Sequence, residues 1–323
     1  MKTSKSKKKI KSIAISISCI ILVFVITLGV ILYSRLATMS SIEKINNGFY
    51  KLTYKHDYNL DAALDAGITN VSELDEFLSK EMYFGFPINA NINDYGCSAF
   101  LTQNNDSKYL AGRNFDCPVT DTLIIYTDSK EGYSSIGMLP LANIWVSETD
   151  ENLYSPTSFS GKSAMLAAPY MCTDGVNEKG LSIATLDLDP NETHQDTVKD
   201  KIFIPVAVRL LLDRAANVDE AINLLKQYDM HTWAGSTQHL FVSDSSGRAV
   251  VIEWHNDDMF VVESPICTNF RLSSKVAMEN TEFLCDRFDT IAARLKTNSK
   301  NTTEEAMTLL DDVSQDNAYS ATQ

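Results

Sequence analysis

Gly96–Pro118, "GCSAFLTQNNDSKYLAGRNFDCP", is the stretch from which the rest of the chain is read. Two strand-like runs, "CSAFLTQ" and "YLAGRNFD", flank "NNDSK", five turn-forming residues, and predict an antiparallel hairpin. With the loop at Asn104–Lys108, Gln103 pairs with Tyr109, Ala99 with Arg113 and Cys97 with Phe115. Residues directly opposite share a face, so Arg113 falls diagonally beside Cys97. A guanidinium there favours the thiolate over the thiol. Asp116 has the wrong parity for that face. Cys117-Pro118 should end the strand, however, letting the Asp116 carboxylate turn back toward the start of the first strand.

Gly96 stands directly before the thiol. A thiol that attacks its own preceding carbonyl bends the backbone sharply, and glycine tolerates that best. If this peptide breaks, Cys97 gains a free α-amino group with a pKa near ~8. Nucleophile and base then sit on one residue, as they do for N-terminal threonine nucleophiles. On the hairpin alone a second reading stays open, a buried structural cysteine next to a surface arginine.

The chain has 323 residues, 44% of them hydrophobic, enough for a substantial core. Its first eleven residues carry six lysines and no acid, and the first acid is Glu43. Apart from those lysines and Arg35, 42 acids face 21 bases, a balance that phosphate backbones would repel. Nucleic acid is excluded as a partner on that ground. Ile13–Tyr33 is an uncharged run of 21 residues, the length of a bilayer-spanning helix. The lysines before it predict a cytoplasmic N-terminus with everything after Ser34 outside; a cleaved signal peptide is the alternative, since "RLATMSS" offers small residues to a peptidase. Five cysteines follow the span, an odd number, so at least one is expected to be free. Neither cysteines nor histidines show metal-ligand spacing, and no metal or cofactor is expected.

Residues 34–45 read as a polar stalk. "TNVSELDEFLSKEMY" reads as a helix capped by Ser72, with Leu74, Phe77, Leu78 and Met82 on one face. "FGFPINANINDYG" is a loop. Beyond the hairpin, "GLSIATLDLD", "HLFVSDSSGRAVVIEW" and "MFVVESPICTNF" read as strands, the second a hairpin turning at Ser245–Gly247. "IPVAVRLLLDRAANVDEAINLLKQY" reads as two helices, with Asn217 capping the second, and "TTEEAMTLLDDVSQ" as another. Strands, helices and strands again imply a layered sheet-and-helix domain rather than a regular parallel alternation.

"GCSAFLTQNNDSKYLAGRNFDCP", "DGVNEKGLSIATLDLD", "ICTNF" and "CDRFDTI" occur in that order. Together they resemble the choloylglycine hydrolase family of N-terminal nucleophile hydrolases. That family holds bile salt hydrolases and penicillin V acylases, with acid ceramidase and N-acylethanolamine acid amidase as distant relatives. The resemblance runs from about Phe49 to the end. It implies Cys97 as nucleophile, with its freed amine as base after cleavage at Gly96-Cys97. It implies Arg113 beside the sulfur and Asp116 orienting the amine. Asn269 matches the side-chain donor of the oxyanion hole, Arg287 a second active-site arginine, and the Asp187 backbone N–H the other oxyanion donor. Relatives carry Asn or Tyr at Asp187; an acid there would repel a carboxylate-bearing substrate. Asn177 of "VNEKG" reads as a turn residue.

The fold the resemblance implies is α+β, a four-layered α-β-β-α sandwich behind one transmembrane helix. The expected organisation is a Lys-rich tail (1–12), an anchor (13–33), a stalk (34–45), a pro-segment packed on the catalytic domain (46–96), and the catalytic domain (97–323). Relatives continue past a "TQ" such as Thr322-Gln323 into a further strand, so the sequence is expected either to be truncated before its last strand or to lack it, truncation being favoured. The implied activity is hydrolysis of a linear, non-peptide amide of an N-acylated small molecule. An acyltransferase using the same site, or an unprocessed extracellular binding module, is the alternative. The expected location is the cell surface, with release after autoproteolysis an open possibility.

Overall fold

The computed structural model describes residues 2–88, 96–117, 121–189, 192–232, 237–255, 257–273, 285–315 and 319–322. A long helix, α1 (Lys2–Met39), leads into β1 (Glu43–Asn46), β2 (Phe49–Tyr54), α2 (Leu60–Asp65) and α3 (Val71–Tyr83). Next come β3 (Gly96–Gln103), β4 (Tyr109–Cys117), β5 (Thr122–Thr127), β6 (Ser135–Pro140), α4 (Phe159–Ala164), β7 (Asp174–Asn177) and β8 (Ser182–Asp189). The order continues β9 (Asp200–Phe203), α5 (Ile204–Arg214), α6 (Val218–Leu225), β10 (Tyr228–His231), β11 (Thr237–Ser243), β12 (Ala249–His255) and β13 (Asp258–Glu263). It closes with β14 (Ile266–Thr268), α7 (Asp286–Thr297), α8 (Thr303–Asp312) and β15 (Tyr319–Thr322).

The hairpin forms in the expected register, with Cys97 opposite Phe115, Ala99 opposite Arg113 and Gln103 opposite Tyr109. Gly112 lies opposite Phe100, where an added Cβ would meet the ring at 2.8 Å, so the glycine of "AGRNF" makes room for a core aromatic. β3 and β4 are the middle strands of a four-stranded sheet ordered β14-β3-β4-β15. A second sheet has nine strands, ordered β1-β2-β5-β6-β7-β8-β11-β12-β13.

Three apolar clusters hold these elements together, and period-2 alternation decides which one each strand residue joins. Cys97, Ala99, Leu101 and Phe115 face Leu186, Phe241 and Val251 of the large sheet. The opposite side of β3 puts Phe100 against Ile291, Leu309 and Leu310 of α7 and α8. The other face of the large sheet meets α3, α5 and α6 through Leu52, Leu74, Leu78, Ile183, Leu211 and Ile222.

Three local expectations change. α3 buries the predicted Leu74, Phe77, Leu78 and Met82, but its cap is Asn70, which accepts from the Glu73 N–H at 3.0 Å, rather than Ser72. "MFVVESPICTNF" is two strands in different sheets, because Ser264-Pro265 breaks the ladder between β13 and β14. Residues 34–45 are not a free stalk. α1 runs to Met39, and buried Thr38 accepts from the Lys55 and His56 N–H groups at 2.9 and 3.1 Å. Residues 46–96 contribute more than a helix, because β2 pairs in parallel with β5 and extends the large sheet. Most of the predicted loop at 84–96 lies outside the described residues, as does the continuation beyond Cys117. Asn217 and the Thr302–Glu305 capping box start α6 and α8 through the side-chain bonds that give such residues their N-cap preference.

Candidate active site

Cys97 sits at the start of β3, with its side chain 1% exposed between the two sheets. Three other segments reach it. Arg113, from the partner strand of the hairpin, places Nη2 3.5 Å from the Cys97 sulfur. The same guanidinium donates to the Thr185 carbonyl at 2.8 Å and pairs with Asp174 at 2.7 Å. It also stacks 4.5 Å from the centre of the Phe115 ring. Asn269 follows β14, which is antiparallel to β3, and its Oδ1 accepts from the Cys97 N–H at 2.7 Å. Arg287, in the first turn of α7, donates from Nη1 to the Cys97 carbonyl at 2.6 Å and from Nη2 to Asn269 Oδ1 at 2.9 Å.

Asp116 lies opposite Gly96 on the face of β4 turned away from the sulfur, as its parity requires. Its carboxylate is buried 3.8 Å from Arg287 Nη1. The acid therefore meets Arg287 on the helix side, while Arg113 reaches the thiol from between the sheets. Asn269 Nδ2 donates to the Asp187 carbonyl at 2.6 Å. Two donors at one end of this amide and an acceptor at the other fix its orientation. Asn269 thus holds the Cys97 nitrogen, with its own donor engaged. Asp187 enters through its carbonyl, while its carboxylate accepts from Gln238 at 2.9 Å.

Burial pushes the Cys97 thiol up to about 12; Arg113 acts against this, and Asp187 and Asp116 add to it. The thiol is thus protonated at neutral pH, and a thiol reacts far more slowly than a thiolate. Iodoacetamide is expected to label Cys97 of the intact chain at pH 8 much more slowly than a free cysteine. Labelling at the rate of a free cysteine would contradict this. A cavity of about 600 Å³ lies on the same inter-sheet face, walled by Ala99, Leu101, Ile136, Val176 and Phe241 and bordered by Arg113. Cys97 is not on its wall.

The sequence reading missed Asp174, although it opens the quoted "DGVNEKG". Its signal was a lone acid at a strand start, and only the sheet order carries it across to Arg113. Asn177 is a turn residue as expected, its buried Oδ1 accepting from Lys179 and Leu181. A second network was also missed. Cys267 Sγ is 3.4 Å from His239 Nε2, and His239 Nδ1 is 3.2 Å from Glu253 Oε1, all three fully buried. Thiol, imidazole and carboxylate follow the order of a nucleophile triad, yet burial first, then Glu253, holds this thiol far above its usual range.

Glu253 instead accepts from the Leu272 and Ser273 N–H groups at 2.7 and 2.9 Å, clamping the turn that carries Asn269 onto β12. Burial alone would raise its carboxyl pKa, but hydrogen bonds from His239 and Ser273 outweigh that and bring it to about 2. An unfolded Glu titrates near ~4.3, so unfolding takes up a proton as the pH falls between those values. The clamp's contribution is present above about pH 4 and lost toward pH 2. Relative to Glu253→Gln, the wild-type melting advantage should be full at pH 6 and shrink below pH 4. An advantage unchanged at pH 3 would rule the clamp out.

Two sheets packed face to face, with a buried cysteine at the start of a central strand and two arginines and an asparagine around it, define a class of mixed α/β proteins organised about one thiol. The sequence profile of the linear amide C–N hydrolases, choloylglycine hydrolase family, matches residues 97–271, and the chain belongs to that family. Penicillin V acylase of Pectobacterium atrosepticum is 29% identical over 168 residues, which cover 45% of this chain and 43% of that protein. The chain thus matches less than half the length of that curated relative. Among solved structures, a mutant of conjugated bile acid hydrolase from Clostridium perfringens is similar with TM-score 0.48 and 18% identity, over 67% of this chain and 78% of that one. Penicillin V acylase from Agrobacterium tumefaciens is similar with TM-score 0.45 and 17% identity, over 67% and 72%.

Proposed function

We propose that this chain is a cysteine N-terminal nucleophile hydrolase that cleaves the C–N bond of a linear amide in an N-acylated small molecule. The observation that carries this reading is the convergence of Arg113, Asn269 and Arg287 on the sulfur, nitrogen and carbonyl of Cys97 at once, with Asp116 beside Arg287. A merely structural cysteine needs none of these.

In the activating step, Cys97 Sγ adds to the Gly96 carbonyl carbon, and the peptide nitrogen takes up the thiol proton and leaves as the Cys97 α-amine. Water then hydrolyses the thioester, freeing the thiol and leaving a carboxylate on Gly96. In turnover the α-amine takes the thiol proton, and the thiolate adds to the substrate carbonyl. The tetrahedral oxyanion collapses as the leaving amine receives that proton. Water, deprotonated by the α-amine, clears the acyl thioester. Asn269 Oδ1 already marks where the amine sits. For Asn269 Nδ2 to serve the oxyanion, it has to leave the Asp187 carbonyl. Asp187 at this point, in a body with twice as many acids as bases, disfavours substrates that present a carboxylate there. Intact mass and N-terminal sequencing of the expressed chain test the reading, with a fragment starting at Cys97 expected.

The fold reading belongs with it: two sheets face to face with helices outside each, the α-β-β-α sandwich. The three apolar clusters support it. Ile15–Met39 is long and apolar enough to cross a bilayer, and the lysines before it support an inner N-terminus with the catalytic part outside.

Cleavage at Gly96 should not release the catalytic part. β2 is hydrogen-bonded into the large sheet, and Leu52, Leu74, Leu78 and Met82 are almost wholly buried in its core. Each such side chain contributes about 1.5–3 kcal/mol. An N-terminal affinity tag is expected to pull down the 97–323 fragment from cleaved protein until denaturant is added. Recovery of that fragment alone in the medium would refute retention.

A further inference from the structure

The junction between α1 and the body has no slack. Arg35 donates from Nε to the Met82 carbonyl at 3.0 Å and from Nη2 to the Glu81 carbonyl at 2.6 Å, and its guanidinium stacks 4.5 Å from the Phe84 ring centre. Ser34 bonds the His56 ring at 2.9 Å. The uncharged run ends at Tyr33, and a helix rises about 1.5 Å per residue, so Arg35 stands only about 3 Å above the end of the span. The headgroup region is about 5–7 Å thick on each side of a bilayer. If α1 crosses a membrane, Arg35 and the Phe84 ring stacked on it lie at headgroup depth.

Phe84 opens an aromatic surface. Phe86, two residues on and so at most about 7 Å away, is 72% exposed. It lines a cleft of about 320 Å³ with Trp145, Tyr154 and Phe159, and Phe159 is 74% exposed. Large aromatic side chains left this open on one patch mark an interaction surface. Tyr and Trp have an apolar ring and a polar edge, the combination enriched where acyl chains meet headgroups. The acidic balance of the body gives such a surface no attraction to anionic lipid, so apolar insertion rather than charge has to seat it.

We propose that Phe84, Phe86, Trp145, Tyr154 and Phe159 form a footing that inserts into the headgroup–acyl boundary of the membrane α1 crosses, holding the body at a fixed height and orientation. This rests on the membrane-spanning reading of α1. The footing needs no anionic lipid.

The test uses the full chain reconstituted in phosphatidylcholine vesicles, with and without brominated acyl chains. The expected result is that tryptophan emission is quenched by the brominated lipid and that Trp145→Phe removes the quenched component. Phe86→Ser with Phe159→Ser should abolish the quenching of Trp145 while the protein stays with the vesicles through an alkaline wash. Retention through the wash with Trp145 unquenched in the otherwise native chain would overturn the footing and leave the span standing. Release by the wash would overturn both.

Discussion

Cys97→Ala is expected to remain a single uncut chain of full mass, with no fragment beginning at position 97, and to hydrolyse no amide above background. The Cys97 sulfur is the group Arg113 is aimed at, and its nitrogen is the atom Asn269 holds. In the proposed mechanism alanine removes the attacking atom for both the activating cleavage and turnover, and loss of a nucleophile costs on the order of 10⁶ in kcat. The thiol makes one weak hydrogen bond and fills little volume in its apolar cluster, so the variant should fold and melt within about 1.5 kcal/mol of the wild type. That separation makes the test clean. A wild-type chain that also stays uncut would leave Cys97 without its α-amine base, and the non-catalytic binding module would become the better reading.

Arg113→Met is expected to lose both stability and activity, and the double variant Arg113→Met/Asp174→Leu to regain only stability. The Arg113 and Asp174 side chains are 5% and 8% exposed and 2.7 Å apart. Removing one member strands a buried charge, which typically costs 3–5 kcal/mol, whereas replacing both with apolar groups of similar volume is often near neutral. Activity should not return with the second change, because the guanidinium was the main counterweight to burial at the Cys97 thiol. Groups that stabilise transition-state charge are worth about 10²–10³ in rate. Arg113→Lys should rescue little. A single ammonium cannot meet the Asp174 carboxylate, the Thr185 carbonyl and the Cys97 sulfur together, as the planar fork does. A chain in which Arg113→Met melts like the wild type would refute this account.

What the sequence determined by itself is local in character. The hairpin register followed from five turn-forming residues and two alternating runs, and with it the placement of Arg113 beside Cys97, since period-2 geometry needs no knowledge of the rest of the fold. The buried face of α3 and the cap of α6 were legible for the same reason: spacing and a neighbouring side chain are short-range facts. Asn269 and Arg287 were reached only by resemblance to a family, because nothing in their spacing places them near residue 97.

The tertiary structure decided everything that depends on which strand lies next to which. It brought Asp174 to Arg113 across the two sheets, and it split "MFVVESPICTNF" between them so that Asn269 descends beside Cys97. It turned the expected stalk into a helix end locked on Glu81 and Met82, and drew residues 49–54 into the large sheet, where a run as short as "FYKLTY" gave no signal strong enough to read. It assigned a buried cysteine, histidine and glutamate, scattered over β11, β12 and β14, to holding the turn that carries Asn269. Local pattern fixes the face a side chain occupies. Only the packing of whole sheets and helices sets what that face meets, because those contacts join residues tens to hundreds of positions apart.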